Sequence, residues 1–312
     1  MHKISCLLTL DPENLGVEDP CLFWAEAPDK RFVRDIDRLG QVSPVLVMND
    51  SGRNILVAGY KRTLALIKLK RRILALQVSM TDDYTKGLLY ITSNHGHPVD
   101  QGMIVRALRY FASIDSITEE VWELLGVKSG SKDQTLWKTW LNLPLPWDRL
   151  LAQGSLSLEC APMLETISST DLVTLFPFFS ELSWSRNNSI NFLTWLTEKS
   201  RMSNTDTTAI IDSLELENVL KSHLSPGDKI KKILNLLYQS RYPVLSGMKK
   251  NLEKRLDSAT RESGWRIEHR DDFESREIII STKIKNPNDL SNAITRLEKF
   301  ASSGIFDNWP VK

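Results

Sequence analysis

Between Asp29 and Leu76 the spacing of apolar residues switches from helical to strand-like and back, and this alternation limits the folds open to the chain more than any other feature. Phe32, Val33, Ile36 and Leu39 recur at helical intervals, and Gly40 stands where a left-handed C-cap ends a helix. Ser43-Pro44 opens the run Val45 to Met48, Asn49 to Gly52 supplies turn residues, and Asn54 to Ala58 resumes a β-rich run. Together these predict a hairpin. The following segment, AGYKRTLALIKL, passes through Gly59, which is free to take any backbone angle, into a helix with Lys61 and Arg62 in its first turn. Such a junction aims backbone N–H groups and two cations at one place, which suits an anion and above all a phosphate. The competing reading is a solvated first turn. Cations there oppose the helix dipole, so stability alone would favour acids.

The chain has 312 residues, 41% hydrophobic and 25% charged, enough for two or three globular units of ordinary composition. A net charge of +1 lacks the basic signature of a chain that binds nucleic acid over its whole surface, so any such contact is local. No apolar run reaches the ~18 residues of a membrane span, and the N-terminal apolar stretch is too short for a signal peptide. A cytoplasmic location and no membrane association are expected. Cys6, Cys21 and Cys160 have neither C-x-x-C spacing nor a nearby histidine set, which points to buried thiols. His95 and His97 read as polar loop residues.

A first strand is expected over Lys3 to Leu10, another from Ile73 to Ser79, and a helix from Thr81 to Ser93 that delivers Asn94 near its end. From Val99 the chain turns helical. Met103, Ile104, Ala107, Leu108 and Phe111 form one apolar face, Ser116-x-x-Glu119 reads as a capping box, and Gly126 marks a turn before a helix over about 132–141.

Three segments carry a resemblance. GQVSPVLV (40–47), AGYKRTLAL (58–66) and ITSNHGHPVD (91–100) resemble, in order and spacing, the nucleotide-pocket boxes of the ParB partition-protein family. In that family the boxes read roughly GQxxPI, GERRxxA and ENxxR and bind CTP with magnesium. The resemblance implies a cofactor of CTP or another nucleoside triphosphate with Mg2+. It implies a pocket of Gly59, Tyr60, Lys61, Arg62, Ser93, Asn94 and His97, with Asn94 a metal ligand and Gln41 aiding hydrolysis. Tyr60 replaces the glutamate of the second box, while Ser93 and His97 replace the acid and arginine of the third. Losing a carboxylate removes a hard oxygen ligand for magnesium, so binding is expected to outlast hydrolysis, leaving at most a weak triphosphatase. Leu143-Pro144 and GSLSLECA (154–161) extend the resemblance to about residue 168.

On the second helix of the 116–141 segment, Lys132, Gln134, Thr135 and Lys138 are the candidate DNA contacts, with Arg106 and Arg109 adding phosphate contacts. Trp137 and Trp140 read as core. Farther on, Ser225-Pro226-Gly227-Asp228 starts a helix with Ile230, Ile233, Leu234 and Leu237 as its buried stripe, and another helix runs from Met248 to Arg261. Two strands, Trp265 to His269 and Glu277 to Ile284, precede a last helix striped by Leu290, Ile294 and Leu297. This ending buries too little to stand alone, so a homodimer is expected.

The expected fold class is α+β: a small mixed ParB-like domain over 1–98, an all-α helix-turn-helix segment over 99–168, a helical region over 169–240 and an α-ββ-α dimerisation unit over 241–312. The implied role is DNA binding in partition or gene regulation, with DNA and a ParA-type ATPase as partners. A phosphoryl-transfer or nuclease enzyme on the same fold is the alternative, and a scaffold with a vestigial pocket is another.

Overall fold

Val45, Val47, Leu56, Val57, Ile73 and Ala75 are fully buried, and they form the centre of the sheet that organises the N-terminal part of the chain. Four of the six are β-branched, the type that packs best on a pleated surface. The computed structural model describes residues 4–79, 82–94, 96, 98–260, 265–269 and 278–302. Strands β1 (Ile4–Leu10), β2 (Leu15–Gly16), β3 (Val45–Asp50), β4 (Arg53–Ala58) and β5 (Ile73–Val78) make one mixed sheet in the order β1-β5-β3-β4-β2. β3 pairs antiparallel with β4 and parallel with β5. The hairpin turns on Ser51 and Gly52, both at positive φ, the geometry whose twist matches that of the flanking strands. The short β2, parallel to β4, has no periodicity that reveals it in the sequence.

Helix α1 (Lys30–Leu39) is capped by the Asp29 carboxylate, which accepts from Phe32 N, and stops at Gly40 with φ 78°. Helix α2 (Tyr60–Lys68) follows β4 directly. Arg71 and Arg72, beyond its end, pair with Asp37 and Asp11. Then come α3 (Asp83–Ser93), α4 (Gln101–Ser113), α5 (Glu119–Leu124), α6 (Lys132–Trp140) and α7 (Pro146–Ala152). A Cβ on Gly87 of α3 would stand 2.6 Å from Tyr110 and 2.7 Å from Phe111 of α4, so this glycine sets how closely the two helices pack. Phe23, Trp24, Tyr90, Tyr110 and Phe111 close the contact as one aromatic cluster.

Several expectations are corrected. The buried face of α4 runs through Val105, Ala107, Leu108, Tyr110 and Phe111, not Met103 and Ile104, because the helix lies turned toward that cluster. The cap of α5 is Thr118, whose hydroxyl accepts from Val121 N, while the Ser116 hydroxyl donates to Ile114 O. Cys21 and Cys160 are buried, but Cys6 is exposed on edge strand β1 and its thiol donates to Gln77 Oε1. Burial pushes the Cys160 thiol up to about 11, out of the reactive range.

The chain divides into two compact units, residues 1–197 with 206–208, and residues 198–205 with 209–312. In the second, helix Pro226–Arg241 is capped by Ser225 and buries Ile230, Ile233 and Leu237, with Leu234 half-buried. Helix Pro243–Thr260 begins ahead of the expected Met248. Strands Arg266–His269 and Ile278–Ser281 pair antiparallel, and helix Pro287–Ala301 follows. Among the described residues no helix is long and apolar enough to cross a membrane.

Candidate functional site

Gly59 takes φ 99° and ψ 28° between β4 and α2, and a Cβ there would stand 2.7 Å from Val45 Cγ1. Both the backbone angle and the close packing on β3 demand glycine. No side chain caps α2, and its first intrahelical bond is Thr63 N to Gly59 O. The N–H groups of Tyr60, Lys61 and Arg62 therefore lack an intrahelical acceptor and face outward at the positive end of the helix dipole.

This helix start opens on a cavity of about 500 Å³. Trp24, Phe32, Tyr60, Tyr90 and Met103 contribute its aromatic and apolar walls. Among the described residues, Lys61, Arg62 and Arg106 bring cations, Glu26 the one carboxylate, and Ser93 and Asn94 further polar groups. A small concave site with an apolar wall and a few convergent polar groups is the usual form of a ligand pocket. The cavity thus brings together Gly59, Tyr60, Lys61 and Arg62 of the second box with Ser93 and Asn94 of the third. His97 lies outside the described residues.

Each cation is held by part of its hydrogen-bonding capacity. Arg62 donates through Nη1 to Ser43 O at 2.9 Å and Pro44 O at 2.7 Å, which ties it to the start of β3 and leaves Nε and Nη2. Burial lowers its pKa, though a guanidinium stays charged at any physiological pH. Arg106, exposed on α4, donates through Nε to Gly102 O at 3.1 Å, leaving both terminal nitrogens. Lys61 Nζ lies 3.1 Å from Glu26 Oε2. The Trp24 indole N–H donates to Met103 O at 2.7 Å and holds the loop carrying Glu26 against α4. Burial pushes the Tyr90 hydroxyl up to about 12, so that wall stays neutral.

Trp24, Glu26, Tyr90, Met103 and Arg106 are among the lining residues that sequence reasoning missed here. Arg106 reads from the sequence as a phosphate contact to DNA, and Glu26 lies in a loop without periodicity. The signal for the loop residues is Trp24 two positions before Glu26, between the Asp19-Pro20 and Ala27-Pro28 breaks, too general to single them out.

Gln41, expected to aid hydrolysis, is not among the residues that line the cavity. Its amide donates to Leu74 O at 2.6 Å and Ser43 O at 3.0 Å and accepts from Leu74 N at 2.7 Å, pinning the loop before β3 to β5 outside the cavity lining. Nor does the donor set fit magnesium. That ion is usually held by one or two carboxylates beside the phosphates. Glu26 is engaged by Lys61, the Ser93 hydroxyl donates to Tyr90 O, and the Asn94 amide donates to Tyr90 O as the C-cap of α3. Asp82 and Asp100 cap α3 and α4 by accepting from Thr85 N and Met103 N. Among the described residues no cluster of three His, Cys, Asp or Glu can hold a metal.

The helical segment carries the second candidate surface. Lys132, Thr135 and Lys138 are exposed on α6, behind the turn at Gly126 with φ 73°. Gln134 is 5% exposed and its Oε1 accepts from Gly130 N, so it faces inward and does not join them. Trp137 and Trp140 are core. Arg109 is also committed: it pairs with Asp148 at 2.9 Å and donates to Leu141 O and Leu143 O, while the Trp140 indole donates to the same carboxylate. This clamp fixes the end of α6 against α4 and α7 and leaves Arg109 unavailable to phosphate.

No protein-family model matches the chain, and no curated protein matches it. Among solved structures, it is similar to the C-terminally truncated chromosome-partitioning protein ParB from Caulobacter crescentus complexed to the centromeric parS site, with 15% identity, 53% of this chain and 88% of that one covered, and a TM-score of 0.34. It is also similar to ParB from the same organism complexed with CTP-γ-S, with 17% identity, coverage of 57% and 100%, and a TM-score of 0.26. A Pnob8-like ParB-N domain matches at 14% identity, coverage of 62% and 90%, and a TM-score of 0.35.

Proposed function

We propose that this chain is a ParB-like DNA-binding protein whose N-terminal cavity takes a phosphate-bearing ligand of nucleotide size. One observation carries the reading: an uncapped helix start at Gly59 faces a cavity that also receives Lys61, Arg62 and Arg106. Amide N–H groups, dipole and cations all favour the same negative charge. The aromatic walls provide a face for a base to pack on. CTP is the first ligand to try, because the three boxes resemble those of a CTP-binding family.

The cavity is assigned to the segment 1–98 together with Met103 and Arg106 of α4, and the remainder of 99–168 to DNA, with α5, the Gly126 turn and α6 as a helix-turn-helix that presents Lys132, Thr135 and Lys138. The net charge of +1 is consistent with a local contact of this size. A partition or regulatory role, with a ParA-type ATPase as partner, follows from the resemblance of the boxes. In 241–312, Ile279, Ile284, Leu290 and Ile294 are between 46% and 64% exposed, which supports pairing of two copies through this end.

Calorimetry with CTP, ATP and GTP tests the cavity. At least one is expected to bind, and Arg62→Ala to weaken it; no binding by any of the three refutes the assignment. Anisotropy with duplex DNA tests α6. Removing Lys132 or Lys138 is expected to weaken binding on all sequences alike and to lower the salt slope by about one.

A further inference from the structure

We infer that the cavity takes its phosphate ligand without a divalent metal, the side chains of Lys61, Arg62 and Arg106 supplying the compensating charge. This rests on the reading of the cavity as a phosphate site, and it concerns how that site balances charge. Among the described residues, three cations and one carboxylate line the space. A site that relies on a metal presents carboxylates to it, and here the balance is reversed. Asp82 and Asp100, the acids nearest in sequence to the third box, are held as helix caps.

Glu26 is the decisive residue. Its pair with Lys61 is loosely held, the two side chains being 60% and 49% exposed. An arriving phosphate can replace the carboxylate on Lys61 Nζ and release Glu26 to water, while Arg62 Nη2 and the terminal nitrogens of Arg106 remain to donate. A metal would require the opposite arrangement, with Glu26 retained and turned toward the phosphates. The two arrangements predict opposite effects of neutralising Glu26.

The test is calorimetry of the full chain with CTP and with ATP, each in EDTA and in magnesium at matched ionic strength, on wild type, Glu26→Gln and Arg106→Ala. Binding is expected in EDTA, and magnesium is expected to leave it unchanged or weaken it, because the complexed nucleotide carries less negative charge. Glu26→Gln tightens binding by up to about fivefold, the worth of an exposed ion pair. Arg106→Ala, at an exposed position that leaves the fold intact, weakens it about tenfold or more. Binding that requires magnesium and disappears in Glu26→Gln overturns the inference and makes Glu26 a metal ligand. Absence of binding in both buffers removes the phosphate reading itself, and this inference with it.

Discussion

Replacing Lys86 by methionine tests the account of how the loop before α1 is fixed to α3. Lys86 Nζ lies 3.1 Å from Asp19 Oδ2 and 2.6 Å from Asp83 Oδ1, and Asp19 Oδ1 accepts from Cys21 N at 2.9 Å. The Lys86 and Asp19 side chains are only 10% exposed, whereas Asp83 is 60% exposed. Methionine keeps the apolar stem and removes the charge, stranding Asp19. Breaking a buried pair in this way costs about 3–5 kcal/mol, and the lower end applies because both groups retain a little solvent. Asp19→Asn is milder, about 1–2 kcal/mol, since Lys86 keeps Asp83. Burial pushes the Asp19 carboxyl up, but the Cys21 and Lys86 hydrogen bonds outweigh it and hold it below its ordinary value of 3.8. A depressed carboxylate stabilises above its unfolded pKa and loses that contribution as pH falls through the folded one. Burial lowers Lys86, yet its two carboxylates raise it above 10.5, so its share is present below that pH and lost above it. The difference between wild type and Lys86→Met is therefore full at neutral pH and shrinks in acid as Asp19 protonates. Urea unfolding followed by tryptophan fluorescence at pH ~7 and pH ~3.5 measures it. A variant within about 0.5 kcal/mol of wild type at neutral pH, or a difference that does not shrink in acid, would refute the reasoning.

Gly59→Ala is expected to lower stability by more than ~1 kcal/mol and to abolish ligand binding, because the positive φ and the Val45 contact both resist a Cβ; binding at wild-type strength, read by calorimetry, would place the anion elsewhere. Phosphate release from CTP by the wild type is expected to be slow or absent with or without DNA, and Ser93→Glu to raise it by restoring a carboxylate. Robust wild-type turnover that Ser93→Glu leaves unimproved would show the third box to be misaligned. Light scattering should find a dimer for the full chain and a monomer for a chain ending at Arg241, given the half-exposed Leu290 and Ile294. A dimer that survives the truncation places the interface outside 242–312.

The residues legible in the sequence are those whose behaviour depends on near neighbours. The α1–β3–β4–Gly59–α2 run was readable because helical spacing, turn residues and a glycine junction are local preferences of the backbone, expressed within a few residues. Ser225, Pro226 and Asp228 were readable for the same reason, as a cap and its first turn. What tertiary structure decided is which side chains face one another, and that depends on pairing across long stretches of chain. Gln41 belongs to the first box by sequence, and only folding brings Leu74, 33 residues on, to both ends of its amide. Gln134 has the polarity of a base reader, but the packing of α6 turned it inward. Arg109 is held by Asp148, 39 residues away, and Lys61 meets Glu26, 35 residues before it. The sequence alone thus determined that an anion-favouring helix start exists at Gly59. Only the folded sheet, by bringing the 24–26 loop and α4 over that start, decided that Arg106 and Glu26 share it, because burial and charge pairing act through space while propensity acts along the chain.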